Sequence, residues 1–102
     1  MRLMTAELEK RFAKVGSQEN VKDPIVLAKL FNPLGTGTWW ATEYDSENKT
    51  IFGYASIFGD WSDEWGYFSL VELEAIEGPF GIRIERDLYW TEKSVSEIPE
   101  IR

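Results

Sequence analysis

Apolar residues recur at spacings of three and four near the start of the chain, at Met4, Leu8, Phe12 and Val15, while Lys10, Arg11 and Lys14 fall outside that stripe. The period predicts an amphipathic helix, Ala6–Val15, capped by Thr5 and stopped by Gly16. Residues 17–24 read as a polar connection. Residues 25–31 (IVLAKLF) form a short apolar run between Pro24 and Pro33 that begins with β-branched side chains, which predicts a strand. Residues 38–44 and 50–58 are dense in aromatic and threonine residues, and Asp45-Ser46-Glu47-Asn48 lies between them. The two predict neighbouring antiparallel strands joined by a hairpin loop. Gly53, inside the second, marks a bulge or a close backbone approach.

The pattern changes after residue 58. Residues 59–66 (GDWSDEWG) read as a loop of acids and tryptophans. Ser69 with Glu72 makes an S-x-x-E capping box that opens a helix over residues 70–76, ending before Gly78-Pro79. Residues 82–90 alternate, with Ile82, Ile84, Arg86, Leu88 and Trp90 on one face and Arg83, Glu85, Asp87 and Tyr89 on the other, which predicts a half-buried strand. Ser94 and Glu97 can cap a last turn before Pro99. Together these elements predict one α+β domain over residues 1–102. Its antiparallel sheet has about four strands, with an N-terminal helix and a short helix before the last strand. The expected core is Leu8, Phe12, Val26, Ala28, Leu30, Trp39, Phe52, Tyr54, Phe68, Leu70, Leu73, Ile82, Ile84 and Leu88. Arg86 shares a face with apolar residues and needs a carboxylate there. Glu43, which alternation puts on the face of Trp39 and Ala41, is the expected partner in a structural ion pair that fixes strand register.

Composition adds exclusions. Hydrophobic residues are 43% of the chain and charged residues 28%, as in an ordinary globular domain. No stretch approaches the roughly 18 apolar residues of a membrane span, and no apolar run follows Arg2 as in a secretory leader, so a cytoplasmic address is expected. The chain has no cysteine and no histidine. Disulfides, thiolate or imidazole metal sites, and Ser-His-Asp or Cys-His nucleophiles are therefore excluded, leaving carboxylate, lysine, tyrosine or serine chemistry and hard oxygen-bound cations.

The net charge of -7 is unevenly spread: residues 1–31 carry +2, residues 32–82 carry -8 and residues 83–102 carry -1. An acidic field of this kind repels nucleic acid and anionic membrane, so no direct contact with either is expected, and a basic protein is the natural partner. Eleven of the fifteen aromatic residues lie between Phe31 and Phe68. They are interleaved with acids rather than the basic residues that base stacking needs, which leaves sheet core or protein-interface anchors.

The carboxylates single out no catalytic pair. Glu43, Glu85 and Asp87 lie on predicted strands, but no spacing selects two of them for glycoside hydrolysis. Asp60, Asp63 and Glu64 share one loop, yet their spacing does not fit a calcium loop, and no metal or cofactor is expected. Gly78-Pro79-Phe80-Gly81 precedes a strand and lacks a phosphate-cradle signature.

One combination of short elements is specific. It comprises Thr38-Trp39-Trp40 with Glu43-Tyr44-Asp45, then residues 66–70 (GYFSL), residues 72–74 (ELE), Gly78, Pro79, Gly81 and residues 84–87 (IERD). Over nearly the whole chain this resembles the domain of unknown function 2958 family, small proteins of bacterial plasmids, integrative elements and phages. The resemblance implies roles such as host-defence evasion, transfer or maintenance, and no reaction. The expected function is that of a small acidic, non-enzymatic protein that binds a basic host or element-encoded protein, for instance as a host-defence inhibitor or nucleic-acid mimic. Its expected surface is Glu43, Asp45, Asp60, Trp61, Asp63, Glu64 and Trp65. The alternative is a small carboxylate-dependent hydrolase, with or without the assistance of a metal ion.

Overall fold

The structure, a computed structural model, describes residues 2–101. Its first helix, α1, spans Ala6–Val15 as the periodicity predicts. The Thr5 hydroxyl accepts from Leu8 N–H, and Gly16 ends the helix with φ of 70°, donating its N–H to the Phe12 carbonyl. The strands are β1 (Ile25–Val26), β2 (Ala28–Phe31), β3 (Thr38–Asp45), β4 (Thr50–Ser56) and β5 (Glu64–Ser69). After them come helix α2 (Leu70–Ala75), β6 (Glu85–Arg86) and β7 (Lys93–Ser94). Five strands form one antiparallel sheet in the order β5-β4-β3-β2-β6, and β1 pairs separately with β7. The β3–β4 turn is held by Asp45, whose carboxylate accepts from the N–H groups of Glu47 and Asn48 and from the Asn48 amide.

The sheet is covered on both sides. Leu3, Met4, Phe12, Leu30, Trp39, Ala41, Ile51, Leu70, Leu73 and Ile84 are buried with the two helices on one face. On the other, Val26, Trp40, Tyr54 and Ile98 are buried beneath the C-terminal segment, with Trp90 and Val95 packed against them. In that segment Ser94 N–H donates to the Glu97 carboxylate at 3.0 Å, at the start of a short 3₁₀ turn.

Four expectations change. The run over residues 25–31 is two strands rather than one, because the chain breaks at Leu27, whose N–H donates to the Ala41 carbonyl, and β1 leaves for a second sheet. The stretch read as a loop becomes strand from Glu64 onward, paired along β4 from Ala55↔Glu64 to Thr50↔Ser69. The final strand shrinks to Glu85–Arg86 against β2. Beyond it the Asp87 carboxylate accepts from Tyr89 N–H and turns the chain, leaving Leu88, an expected core residue, 64% exposed. Of the other expected core residues, Leu8, Phe52, Phe68 and Ile82 are only half-buried.

Candidate functional site

A β-bulge decides what the sheet presents on its C-terminal side. Along β3 the register runs Trp39↔Ala55, Trp40↔Tyr54 and Ala41↔Gly53, then slips so that Glu43, not Thr42, faces Phe52. Side chains directly opposite each other point to the same face, so the extra residue at Thr42 turns Glu43 away from Trp39 and Ala41 and sets it beside Phe52. Arg86 lies opposite Leu30, itself opposite Trp39, and lines the surface with α1 residues Thr5, Leu8, Arg11 and Lys14. The expected Glu43–Arg86 ion pair is thus corrected: the two residues sit on opposite faces. Strand alternation misplaced Glu43 by one inserted residue.

Freed from that role, Glu43 belongs to a cleft of about 520 Å³. Its floor is a row across three strands, Glu43 on β3, Phe52 on β4 and Tyr67 on β5, with Trp65 one level along. The rings pack on one another: Phe52 and Trp65 are stacked at 6.0 Å between centroids, Phe52 and Tyr67 meet edge to face at 4.9 Å, and Tyr54 and Trp65 at 5.4 Å. The opposite wall is the connection from α1 to β1, with Glu19, Val21, Lys22 and Pro24, together with Val95.

Gln18 fixes that wall. Its amide donates to the carbonyls of Ile25 and Thr42, both at 2.8 Å, and its side-chain oxygen accepts from Ile25 N–H at 2.7 Å. The Gln18 N–H in turn donates to Glu43 Oε2 at 3.2 Å. The bulged Thr42 is buried, and Gln18 takes up the carbonyl the bulge displaces from the ladder. Gln18 escaped the sequence reading because its partners lie 7 and 24 residues away.

The second feature is the turn joining β4 to β5. Phe58 is 69% and Trp61 93% exposed there, beside exposed Asp60 and Glu64 and half-buried Asp63. Asp60 accepts from the N–H and hydroxyl of Ser62, contacts that hold its carboxyl below the usual carboxylate range. Trp65, expected in the same surface, is instead half-buried in the cleft, and Asp45 is committed to its own turn. Glu43 is therefore apart from the hairpin acids. Glu85 is separated from it too, sitting across β2 at the level of Thr38. Among the described residues no group of three or more acidic side chains is placed to hold a metal ion. No helix of the described residues is long and apolar enough to cross a membrane.

Acid sensitivity follows from these contacts. Asp23 accepts from Ser96 N–H and its hydroxyl, and Asp23, Asp45 and Asp60 are all lowered from the ordinary aspartate value, chiefly by side-chain hydrogen bonds. A carboxyl depressed in the folded state contributes stability above its unfolded pKa, about 3.9, and loses it as the pH falls through the folded value. The melting temperature is expected to decline below about pH 4, and more shallowly in Asp23→Asn. An identical acid slope in that variant would show that the Ser96 contact is not formed in solution.

No curated protein and no solved structure matches the chain. One family model does, that of the protein of unknown function DUF2958, over residues 3–99. It spans the helix, both sheets, the bulge and the cleft, and the chain belongs to that family.

Proposed function

We propose that the protein is a non-enzymatic binding module that docks on a basic protein through the β4–β5 turn. The observation that carries this is the exposure of Phe58 and Trp61 within four residues of one another and next to Asp60 and Glu64. A large aromatic side chain left in water forgoes burial that a fold would ordinarily supply, and aromatic anchors with charged neighbours are how protein interfaces combine affinity with steering. The -8 balance of residues 32–82 gives the partner its sign. On a protein of a mobile element, such a surface suits the nucleic-acid channel of a host or element-encoded protein, where carboxylates would occupy phosphate positions.

The test is affinity capture by the parent and by Asp60→Lys/Glu64→Lys and Trp61→Ala variants, followed by binding measurements on the purified captured protein. Asp63 is left unchanged because it is half-buried. The double reversal is expected to abolish binding while the fold is retained. Trp61→Ala should weaken it by about thirtyfold, as for an interface anchor. Parent affinity should fall steeply with salt, through the association rate. Undiminished capture by the reversed variant would refute this reading and leave the acidic turn a solubility device.

A further inference from the structure

Outside the β4–β5 turn, the cleft over Glu43 brings a carboxylate, three aromatic rings and a concave wall together. We infer that it binds the cationic side chain of a lysine or arginine presented by a protein. The ammonium or guanidinium would lie against the rings of Phe52, Trp65 and Tyr67 and be paired by Glu43.

Three observations carry this. Glu43 is half-buried at the end of the aromatic row, and its hydrogen-bond donor among the described residues is the neutral Gln18 N–H, which engages Oε2 only. Aromatic faces attract cations through the ring quadrupole, and a flanking carboxylate adds direct charge pairing, the combination by which aromatic cages hold ammonium groups. Two of the chain's own cations, Lys93 and Lys29, sit over Trp90, at 4.6 and 5.9 Å from its ring, and no such contact is made to Phe52, Trp65 or Tyr67 among the described residues. Lys22 lines the rim but is exposed, and Glu19 offsets its charge.

The identity of the cation's source rests on the proposal of a basic protein partner; the site's chemistry does not. The bulge at Thr42 is what creates it, since without the inserted residue Glu43 would point to the helix-bearing face. The Gln18 clamp then holds the wall of residues 18–24 against β3, so the cleft is formed before a ligand arrives.

The test uses the intact protein and small probes. Nα-acetyl-lysine methylamide and Nα-acetyl-arginine methylamide are titrated while the Trp65 indole resonance, assigned with Trp65→Phe, is followed by NMR, and Nα-acetyl-norleucine methylamide serves as the uncharged control. Saturable shifts with dissociation constants of roughly millimolar order are expected for the two cations and none for norleucine. Glu43→Gln retains an acceptor for Gln18 N–H and should weaken binding by about tenfold or more. Tyr67→Ala, at a 78% exposed position on the sheet edge, should weaken it by about threefold and serves in place of Glu43→Gln if that variant does not fold. Asp60→Asn/Glu64→Gln should leave the constant within about twofold, separating this site from general acidic attraction. Equal response to norleucine, an unaltered constant in both cleft variants, or no saturation by about 100 mM would overturn the inference. Because no partner is needed, failure here leaves the β4–β5 turn as the docking surface, whereas failure of the turn variants leaves the cleft intact.

Discussion

Gly53→Ala is expected to destabilise the protein by about 3 to 5 kcal/mol, a large share of the roughly 5 to 15 kcal/mol that holds a domain of this size together. A Cβ at Gly53 would meet the Trp40 carbonyl oxygen at 2.0 Å, its carbonyl carbon at 2.9 Å and the Ala41 Cα at 3.0 Å. All three are backbone of the adjacent central strand, immediately before the bulge, so no side-chain rotation relieves the overlap. The strand would have to withdraw and the β3–β4 ladder open. Gly66, the cross-strand partner of Gly53 on β5, is the natural control. A Cβ there meets nothing within 4 Å, and Gly66→Ala is expected to be neutral or to stabilise by about 0.5 kcal/mol, by reducing the freedom of the unfolded chain. Denaturant unfolding of the two variants checks the contrast. Equal stabilities would mean that β3 and β4 do not approach as closely as described.

The second large effect is expected at Gln18. Gln18→Leu keeps the side chain's bulk but leaves Ile25 N–H and the carbonyls of Ile25 and Thr42 without the amide that satisfies them. With buried polar groups costing about 1 to 3 kcal/mol each when unpaired, and water reaching some of them, a net loss of about 3 kcal/mol is expected. Gln18→Glu separates lost hydrogen bonds from lost packing. Its carboxylate still accepts from Ile25 N–H but confronts two carbonyl oxygens, so its folded pKa is raised. Relative to the parent it should be weakest at neutral pH, and it should recover as the pH falls through that raised value toward about 4.3 and the acid gains a proton to donate. A pH-independent difference from the parent would show that the amide is not the clamp described.

What the chain discloses locally, it discloses well. Thr5 and Gly16 bracket α1, Ser69 accepts from Glu72 N–H at the start of α2, and the Asp45 turn joins two aromatic strands, because in each case the partners lie within a few residues. What it conceals depends on partners far away. Glu64 to Ser69 carries turn-forming and acidic neighbours that mask a strand visible only in its pairing with β4. The alternation over residues 82–90 is real, yet β2 offers ladder partners to Glu85 and Arg86 alone. Gly53 signals a bulge or a close approach, but not that the inserted residue lies on the facing strand at Thr42, and that single insertion moved Glu43 from an ion pair with Arg86 to the floor of the cleft. The acids and Trp61 of the β4–β5 turn were readable from charge and composition; the aromatic row beside Glu43 required the register of three strands.

The small β1–β7 pairing sets an order of events during synthesis. Strands β3, β4 and β5 are consecutive and can pair as soon as residue 69 has emerged from the ribosome, but Ile25 waits for Ser94 and the Val26–Trp40–Tyr54 cluster for Ile98. Through that interval the nascent sheet carries a bare aromatic face, the kind of surface on which incomplete chains associate. A truncation before β7 would make that interval permanent. Such a fragment should self-associate even though every strand of the five-stranded sheet is present in it, which makes the C-terminal segment a built-in guard of the sheet as well as part of its core.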